Sequence, residues 1–373
     1  MNNMLYHTAT PEATQTSYIE YNNVDFVLNV GAGRSLMRNT VRINGEIQIT
    51  SDGTTTSTGD VYLDFRIGAH GVIESCQTVF GGQGGGIKEN IQNYARWCEM
   101  GAVGTLYEDD YLNASNQCEL RAPNERSAGV LALGEVTDGN GGAPISTDLD
   151  FSIKPNCILN KMNGDHLPFE KTGEIRLTIN LARNMSALMG KSQGGAATYI
   201  LKNLHCSYHS LPTIGKWSDT RTTMRSVYNV KSTILSGSAN VSAQVPAVCD
   251  AVSCSFQRQN RENQNVFNNY QLETVENIRR VQFLFNDSTN KYVSYVINDQ
   301  NEMLHRYIDS FNDTGHNQMS GDCFRTNAGF GIGLSFQGFV DLSKQRFAVQ
   351  LDSDVDNTKP MNIYLYFHSL ISV

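Results

Sequence analysis

The sequence lacks the signatures of several large protein classes. No apolar run approaches the roughly 18 residues that a membrane-spanning helix needs. No CxxC pair occurs among the eight cysteines, and no His or second Cys pair stands at zinc spacing beside Cys249 and Cys254. The two tryptophans, Trp97 and Trp217, are too few for a sugar-stacking platform. No H-E-x-x-H motif occurs either.

Basic charge is also scarce. The chain has 29 Lys and Arg against 37 Asp and Glu, a net charge of −8, and no segregated basic patch. Such a protein repels nucleic acid, so we expect no direct sequence-specific nucleic-acid binding. Residues 1–22 contain no Lys or Arg, so this segment is neither a secretory signal nor a basic arm. It is predicted to form a flexible or extended N-terminal arm.

The cysteines are scattered along the chain. This spacing is typical of reduced, mostly buried thiols in a cytoplasmic-type compartment, although disulfides stay possible.

Strand patterns dominate what is present. Alternating segments such as "GEIRLTINLA" (173–182) and "RFAVQLD" (346–352) are separated by Gly, Asn, Asp and Ser turns. This pattern predicts an all-β chain of antiparallel sandwiches. Helical periodicity is rare and predicts only short helices, the clearest over 87–98 and 301–311.

Three features recur in the same order and indicate an internal repeat. The first is "IESCQTVF" (73–80) against "IRRVQFLF" (278–285), each followed by a predicted helix. The second is the strand pair that ends in Tyr208-His209-Ser210-Leu211 against the pair that ends in Phe367-His368-Ser369-Leu370. A weaker third match relates residues 24–49 to residues 227–245.

The repeat predicts two similar β-sandwich domains in tandem. At 373 residues the chain also exceeds the roughly 250–300 residues of a single core. The predicted organisation is an N-terminal arm at 1–22, a first domain at 23–211, a linker at 212–220 and a second domain at 221–373. A Gly-, Asn- and Asp-rich segment at 104–148 is predicted to be a long surface loop of the first domain.

The glycine-rich stretch "GGQGGG" (81–86) invites a phosphate-binding interpretation. A P-loop needs G-x-x-x-x-G-K-[ST] between a strand and a helix. Here Ile87 separates the last glycine from Lys88, and Glu89 stands where a hydroxyl is required. The matching segment of the second half has no glycines. A connector is therefore predicted.

No set of residues predicts an active site. His209 and His368 recur at matched strand ends, which favours packing or hydrogen bonding, and His205 and Cys206 are neighbours on a strand and point to opposite faces. Acidic segments and one His–Glu pairing lack the spacing of calcium or metal motifs; they are residues 108–110, 352–357 and 166–170. We expect no enzyme, no catalytic or cofactor-binding residue and no metal site.

Three stretches resemble the double jelly-roll major capsid proteins of tailless icosahedral DNA viruses. They are residues 24–49, which look like opening strands, residues 62–97, which run into a helix, and residues 151–182 with 199–211, which look like closing strands. The C-terminal "MNIYLYFHSLISV" ends the second half in the expected way.

The resemblance implies a structural virion protein without catalysis. Three chains would form a pseudo-hexagonal homotrimer in an icosahedral shell, located in the virion and assembled in the host cytoplasm or nucleus. Its implied partners are neighbouring capsomers, minor capsid or penton proteins, and an internal membrane where one exists. Loop 104–148 would face outward and the arm 1–22 would lie at the base. The alternatives are a minor or penton-associated capsid protein, a carbohydrate-binding β-sandwich protein, and a cupin-like enzyme.

Overall fold

A computed structural model gives the architecture of the chain. It describes residues 3–50, 61–82, 85–105, 117–122, 148–190, 197–213, 223–235, 237–262, 269–270, 278–285, 290–296, 300–311, 331–353 and 360–372. Every strand pair in this part of the chain is antiparallel. The described strands form two sandwiches in sequence order, as the repeat predicts.

The first sandwich extends from residue 5 to residue 212. Its strands are β1 (Leu5–Ala9), β2 (Asn23–Leu28), β3 (Arg34–Met37), β4 (Arg42–Thr50), β5 (Val61–Leu63), β6 (Ile73–Phe80), β7 (Gly86–Gln92), β8 (Asp148–Ile153), β9 (His166–Pro168), β10 (Ile175–Leu181), β11 (Leu188–Gly190) and β12 (Thr198–Pro212). Its helices are α1 (Tyr94–Thr105), α2 (Phe169–Thr172) and α3 (Asn184–Ala187), with 3₁₀ turns at Gly68–Val72 and Ile158–Asn160. One sheet has the order β8-β4-β12-β3-β9 with β1 also on β12, the other has the order β2-β10-β6-β7, and β5 pairs with β11.

Strand β10 illustrates why these segments form a sandwich. Ile175, Leu177, Ile179 and Leu181 are buried, while the residues between them are partly exposed. Because successive side chains of a strand point to opposite faces, one face of β10 lies entirely in the core. Burial of each such side chain contributes about 1.5–3 kcal/mol relative to exposure.

The predicted N-terminal arm differs from the structure. Residues 5–9 pair with β12, from Leu5 opposite Ser210 to Ala9 opposite Cys206. Tyr18 is also buried, and its backbone N–H donates to Leu201 O at 2.8 Å. The first sandwich therefore begins no later than Leu5, and the predicted boundary at residue 23 lies too far along the chain.

The predicted helix over 87–98 is wrong in its first half. Residues 86–92 form β7, which makes a hairpin with β6, and α1 begins only at Tyr94. The glycine-rich stretch thus lies where one strand of an antiparallel pair is followed by the other, with Phe80 opposite Gly86. A Cβ at Gly82 would lie 2.5 Å from Lys171 O, so the close approach of the backbone to α2 requires glycine there.

The second sandwich extends from residue 223 to residue 372. Its strands are β13 (Thr223–Ile234), β14 (Ser238–Ala243), β15 (Val248–Arg258), β16 (Ile278–Phe285), β17 (Asn290–Val296), β18 (Ile332–Asp341), β19 (Phe347–Ser353) and β20 (Met361–Ser372). Helix α4 (Gln300–Ser310) lies close to the predicted 301–311, and 3₁₀ turns occupy Gln259–Arg261 and Leu342–Lys344. The sheet orders are β13-β20-β15-β18 and β14-β19-β16-β17.

The two sandwiches share one pairing scheme. Strand β12 lies between β1 and β4, with β8 beyond β4, just as β20 lies between β13 and β15, with β18 beyond β15. The order β2-β10-β6-β7 likewise corresponds to β14-β19-β16-β17. The first two sequence matches are confirmed, since they equate β6 with β16 and β12 with β20. The third is wrong: the counterpart of β13 is β1, which lies in the predicted arm.

Candidate functional site: the junction of the two sandwiches

Helix α1 belongs to the first sandwich and packs against both. On one side the Tyr94 hydroxyl lies 3.0 Å from His70 Nδ1 and accepts the backbone N–H of Asn156 at 2.8 Å. Towards the second sandwich, the backbone carbonyl of Asn93, just before the helix, accepts the Tyr366 hydroxyl at 3.1 Å. The helix thus connects the cores of the two sandwiches.

Trp97 forms the aromatic centre of this junction. Its ring centroid lies 5.8 Å from that of Phe311, 5.4 Å from Tyr366 and 5.2 Å from His368, all in the second sandwich. The Lys161 ammonium of the first sandwich lies 4.8 Å from the Trp97 ring centroid. Aromatic pairs of this kind contribute about 0.5–1.5 kcal/mol each beyond their buried area.

Arg96 supplies the polar part of the junction. Its Nη2 donates to Gln257 Oε1 at 2.6 Å and to the backbone carbonyl of Asn269. The guanidinium also lies 4.3 Å from the centroid of the Tyr364 ring. One side chain of the first sandwich therefore holds three groups of the second, which fixes the position of α1 against β20.

Glu89 joins strand edges across the junction. It is 3% exposed, and its carboxylate accepts the backbone N–H of Ile158 at 2.7 Å and that of Val227 at 3.2 Å. Burial raises the pKa of Glu89 to about 7, although the Lys161 charge and the N–H donors lower it. Nearby, the Gln92 N–H donates to Asn229 Oδ1 at 3.0 Å. Side chains of β7 and β13 thus accept backbone N–H groups from each other's strand edge.

A groove of about 830 Å³ opens beside these two edges. Three of the residues that line it carry exposed apolar side chains, with Ile87 64%, Tyr228 36% and Val248 37% exposed. The groove therefore offers apolar surface to another molecule at the end of the junction.

A second buried polar cluster fixes the middle of the predicted surface loop. His70 Nε2 lies 3.4 Å from Glu119 Oε2, and Arg121 Nε donates to the same oxygen at 2.8 Å. Burial by itself lowers the pKa of His70, but Cys98 and Glu119 raise it to about 9. Burial raises the pKa of Glu119, but His70 and Arg121 lower it to about 2. The ion pair between His70 and Glu119 therefore holds residues 117–122 against the sandwich.

The same segment packs closely on the backbone. The Ala69 N–H donates to Glu119 O at 2.8 Å, and the Ala122 N–H donates to Phe65 O at 2.8 Å. A Cβ at Gly68 would collide with Glu119 O, and the φ of Gly68 is +54°. Loop 104–148 is thus attached at its ends and near its middle.

No protein family model and no curated protein matches the sequence. The PBCV-1 VP54 crystal structure fitted into a cryo-EM reconstruction of the virophage Sputnik superposes with a TM-score of 0.62 at 11% identity, over 100% of this chain and 95% of that chain. The Faustovirus major capsid protein gives 0.62 at 10% identity, over 100% and 90%. The mavirus major capsid protein gives 0.55 at 8% identity, over 99% and 90%.

The chain has the double jelly-roll fold. The predicted fold class of two tandem antiparallel sandwiches with a few short helices is thereby confirmed. At 8–11% identity these matches show a shared architecture.

The double jelly roll places the repeated histidines in packing contacts. His368 Nε2 lies 2.9 Å from Ser253 Oγ, and its ring packs on Trp97. The His209 ring lies 5.4 Å from that of Tyr6. The two rings have different neighbours, because His368 on β20 packs against Trp97 of α1, whereas His209 on β12 packs against Tyr6 of β1.

Other predicted candidates do not converge in the double jelly roll. His166 lies on β9, while Glu170 lies on α2 and accepts the Gly33 N–H at 3.1 Å. Lys88 and Glu89 lie on β7, away from the strand-to-helix setting of a P-loop. Residues 108–110, Trp217 and most of 352–357 lie outside the described residues. Among the described residues, no group of three or more His, Cys, Asp or Glu side chains could hold a metal ion.

The cysteines of the described part agree with the expectation of buried thiols. Seven are described as free, and six of these are buried, with Cys118 exposed. Trp97 is 3% exposed, so its ring cannot stack on a sugar. In the described part of the chain, no helix has the length and apolar character required to cross a membrane.

Sequence reasoning passed over one motif and the junction residues. Residues 190–194, "GKSQG", match the G-x-S-x-G letters of α/β-hydrolases, but they follow β11, which pairs antiparallel with β5. That motif requires a strand-turn-helix unit, and residues 191–196 lie outside the described part. In the sequence, Glu89 stands two residues from Ile87 and from Ile91, and Arg96 is next to Trp97. That alternation was the one available signal of burial.

Proposed function

We propose that this chain is a major capsid protein that forms pseudo-hexagonal homotrimeric capsomers of an icosahedral shell. The observation that supports it most is the superposition on PBCV-1 VP54 over 100% of this chain and 95% of that chain, with both sandwiches included. The Faustovirus and mavirus structures that match are also major capsid proteins.

The junction gives this proposal a physical basis. Trp97, Arg96 and Glu89 hold the two sandwiches side by side, so one chain presents two similar units. Three chains around an axis then present six. Identical chains close such a ring through heterologous contacts between different faces of neighbouring copies. The role of the chain would be structural, without catalysis.

The finer assignments belong to the same proposal. The protein would be located in the virion, after assembly in the host cytoplasm or nucleus. Its partners would be neighbouring capsomers, minor capsid or penton proteins, and an internal membrane where one exists. Loop 104–148, which is anchored by Glu119, would lie on the outer surface. The proposed boundaries beyond the first sandwich are a linker at 212–220 and a second domain from 221.

Native mass spectrometry of the purified chain tests the proposal. The expected species has three times the mass of the 41.3 kDa chain. Electron micrographs of this species should show six similar lobes. A chain that stays monomeric at micromolar concentration would contradict the proposal. Copy number per virion distinguishes a major capsid protein from a minor or penton-associated one.

A further inference from the structure

Strand β1 is an edge strand with exposed apolar side chains. It pairs with β12 along one edge, and no strand of the described part pairs with its other edge. Met4, Leu5 and Tyr6 are 52%, 46% and 59% exposed. An open edge with such side chains is prone to pairing with another chain, so it requires a cover.

The register identifies the counterpart of β1 within the chain. Tyr6 and Thr8 pair with His209 and Ser207 of β12. In the second sandwich, Val227 and Asn229 pair with His368 and Tyr366 of β20. The sequence repeat equates His209 with His368 and Ser207 with Tyr366. Tyr6 therefore corresponds to Val227, and Thr8 corresponds to Asn229.

The same comparison relates β7 to β17. Both form a hairpin with their preceding strand, and both hairpins have a register shift at the same place, between Thr78 and Val79 and between Phe283 and Leu284. Thr78 and Ser75 pair with Glu89 and Gln92 in the first hairpin. Their counterparts Phe283 and Arg280 pair with Val293 and Val296 in the second. Val293 thus stands at the register position of Glu89, and Val296 at that of Gln92.

The junction inside the chain is a contact between β7 and β13. Glu89 accepts the Val227 N–H, and the Gln92 N–H donates to Asn229 Oδ1 at 3.0 Å. The corresponding strands, β17 and β1, belong to opposite sandwiches. In the described part of the chain each of them pairs with one strand only. The contact that β7 makes with β13 is therefore still to be made by β17 and β1.

We propose that β17 of one copy of this chain packs beside β1 of a second copy, in the arrangement that β7 and β13 have within the chain. This inference rests on the proposed homotrimer and assigns its contact between copies. The contact joins two different surfaces, so every copy uses its β1 once and its β17 once. Three copies then close a ring with both edges occupied.

The chemistry of the two contacts differs at corresponding positions. Inside the chain the buried carboxyl group of Glu89 meets the backbone of Val227. Between copies the Glu89 position is Val293, and the Val227 position is Tyr6. An exposed tyrosine at the centre of a contact is a typical hot spot. The contact between copies should therefore lack the titrating carboxyl group of the junction.

Site-directed cross-linking tests the assignment. The background carries Cys118→Ser, which removes the thiol that is exposed among the described cysteines, and Cys323→Ser, which removes the cysteine outside the described residues. Thr8→Cys and Val296→Cys are introduced together in this background. Under native conditions, a short bismaleimide should link neighbouring copies covalently. A denaturing gel should then show covalent dimers and closed trimers. The chains with only Thr8→Cys or only Val296→Cys should stay monomeric, and the two co-assembled should give dimers only.

The outcomes separate this proposal from the proposed function. A trimeric native mass without any cross-link in the doubly substituted chain would overturn the β17–β1 contact and leave the capsomer intact. Dimers of the chain with Thr8→Cys alone would also overturn it, since they would indicate a contact between two β1 strands. A monomeric native mass would overturn both proposals.

A substitution at the centre of the contact gives an independent readout. Tyr6→Ser should raise the dissociation constant of the trimer at least about tenfold. Leu235→Ser is the matched control, because Leu235 is 63% exposed and lies after the end of β13, away from the proposed contact. Both chains should keep the wild-type circular dichroism spectrum. Equal effects of the two substitutions on the trimer would contradict the assignment.

Discussion

Glu89 makes the stability of the junction depend on pH. Its pKa in the folded chain is about 7, against 4.5 as its ordinary value, because burial disfavours the ionised form. Between these pH values the folded chain retains a proton that the unfolded chain has released. The contribution of Glu89 to stability is therefore complete below pH 4.5 and is lost as the pH rises to about 7.

Glu89→Gln should weaken this pH dependence. The two backbone N–H groups reach different carboxylate oxygens, so the single amide oxygen keeps one of these hydrogen bonds, and the group no longer ionises. Burial and the nearby Asp64 raise the pKa of Glu99 to about 7 as well. Glu99 therefore still makes the free energy of unfolding of the variant depend on pH. We expect the wild-type free energy of unfolding to fall by on the order of 1–3 kcal/mol more than that of the variant between pH 4.5 and 8. Urea unfolding at both pH values measures this difference, and parallel slopes would refute it.

For single residues, the sequence predicted the repeated histidines but not the residues that join the two sandwiches. The repeated histidines could be found, because His209 and His368 occupy matched strand ends. The roles of Arg96 and Glu89 could not, since each depends on contacts with residues more than 100 positions away, such as Gln257 and Val227. The alternation of Glu89 with Ile87 and Ile91 was a weak local signal of burial, since Ile87 on the same strand face is itself 64% exposed.

Among the elements, the β6–β7 hairpin shows how period can mislead. Ile87 and Ile91 are four residues apart, which suits one face of a helix, but Ile87, Glu89 and Ile91 also alternate as in a strand. Over seven residues the two periods are not separable. The comparison with the second half could have decided, because "KYVSYVI" there has a strand pattern in the corresponding place. Strands β12 and β20, which have 15 and 12 residues, were predictable because their pattern extends over more residues.

The anchored loop gives an element-scale prediction. His70→Gln should loosen residues 117–122 because it removes one of the two cationic partners of the buried Glu119 carboxylate and leaves only Arg121, which belongs to the same segment. Because Arg121 still pairs with Glu119, the cost should be smaller than the about 3–5 kcal/mol of a buried pair that loses its only counter-ion. We expect faster proteolysis within residues 104–148 at pH 7. Mass spectrometry of the fragments measures the rate and the position of cleavage. His166→Gln is the control, because His166 lies on β9, where it pairs with Met37 of β3.

The pH range of this anchor follows from the two shifts. The pKa of His70 rises from 6.5 to about 9, so its contribution is complete below pH 6.5 and is lost as the pH rises through 9. The pKa of Glu119 falls from 4.5 to about 2, so its contribution is complete above pH 4.5 and is lost as the pH falls through 2. Proteolysis of the wild-type loop should thus stay constant between pH 5 and 6.5 and increase at pH 10.

For the molecule as a whole, α1 couples the unfolding of the two sandwiches. The buried apolar residues of both form one continuous cluster that includes Trp97. Two sandwiches that share a core should unfold together. Trp97→Ala removes the ring between Phe311 and Tyr366 and should cost about 3–5 kcal/mol. Differential scanning calorimetry should show one transition for the wild type and two for the variant.

Trp97→Phe provides the comparison for that experiment. It retains an aromatic ring and should lower stability less while keeping a single transition. One transition with an unchanged midpoint in the Trp97→Ala chain would argue against the coupling. The tandem arrangement itself was predictable from the repeat, but α1 was not expected to connect the sandwiches, because its contacts with β20 are set by the tertiary fold.

The covalent link between the sandwiches has a consequence for tolerance to mutation. In the proposed ring, a substitution in β7 or β13 changes three of six contacts, and a substitution in β1 or β17 changes the other three. Two sandwiches of one chain meet at an effective concentration in the millimolar range. A contact between separate copies forms only as far as the concentration of free chains allows. The contact within the chain can therefore tolerate a buried ionisable group such as Glu89. A substitution at Tyr6 that weakens the contact between copies by a similar free energy would directly limit assembly.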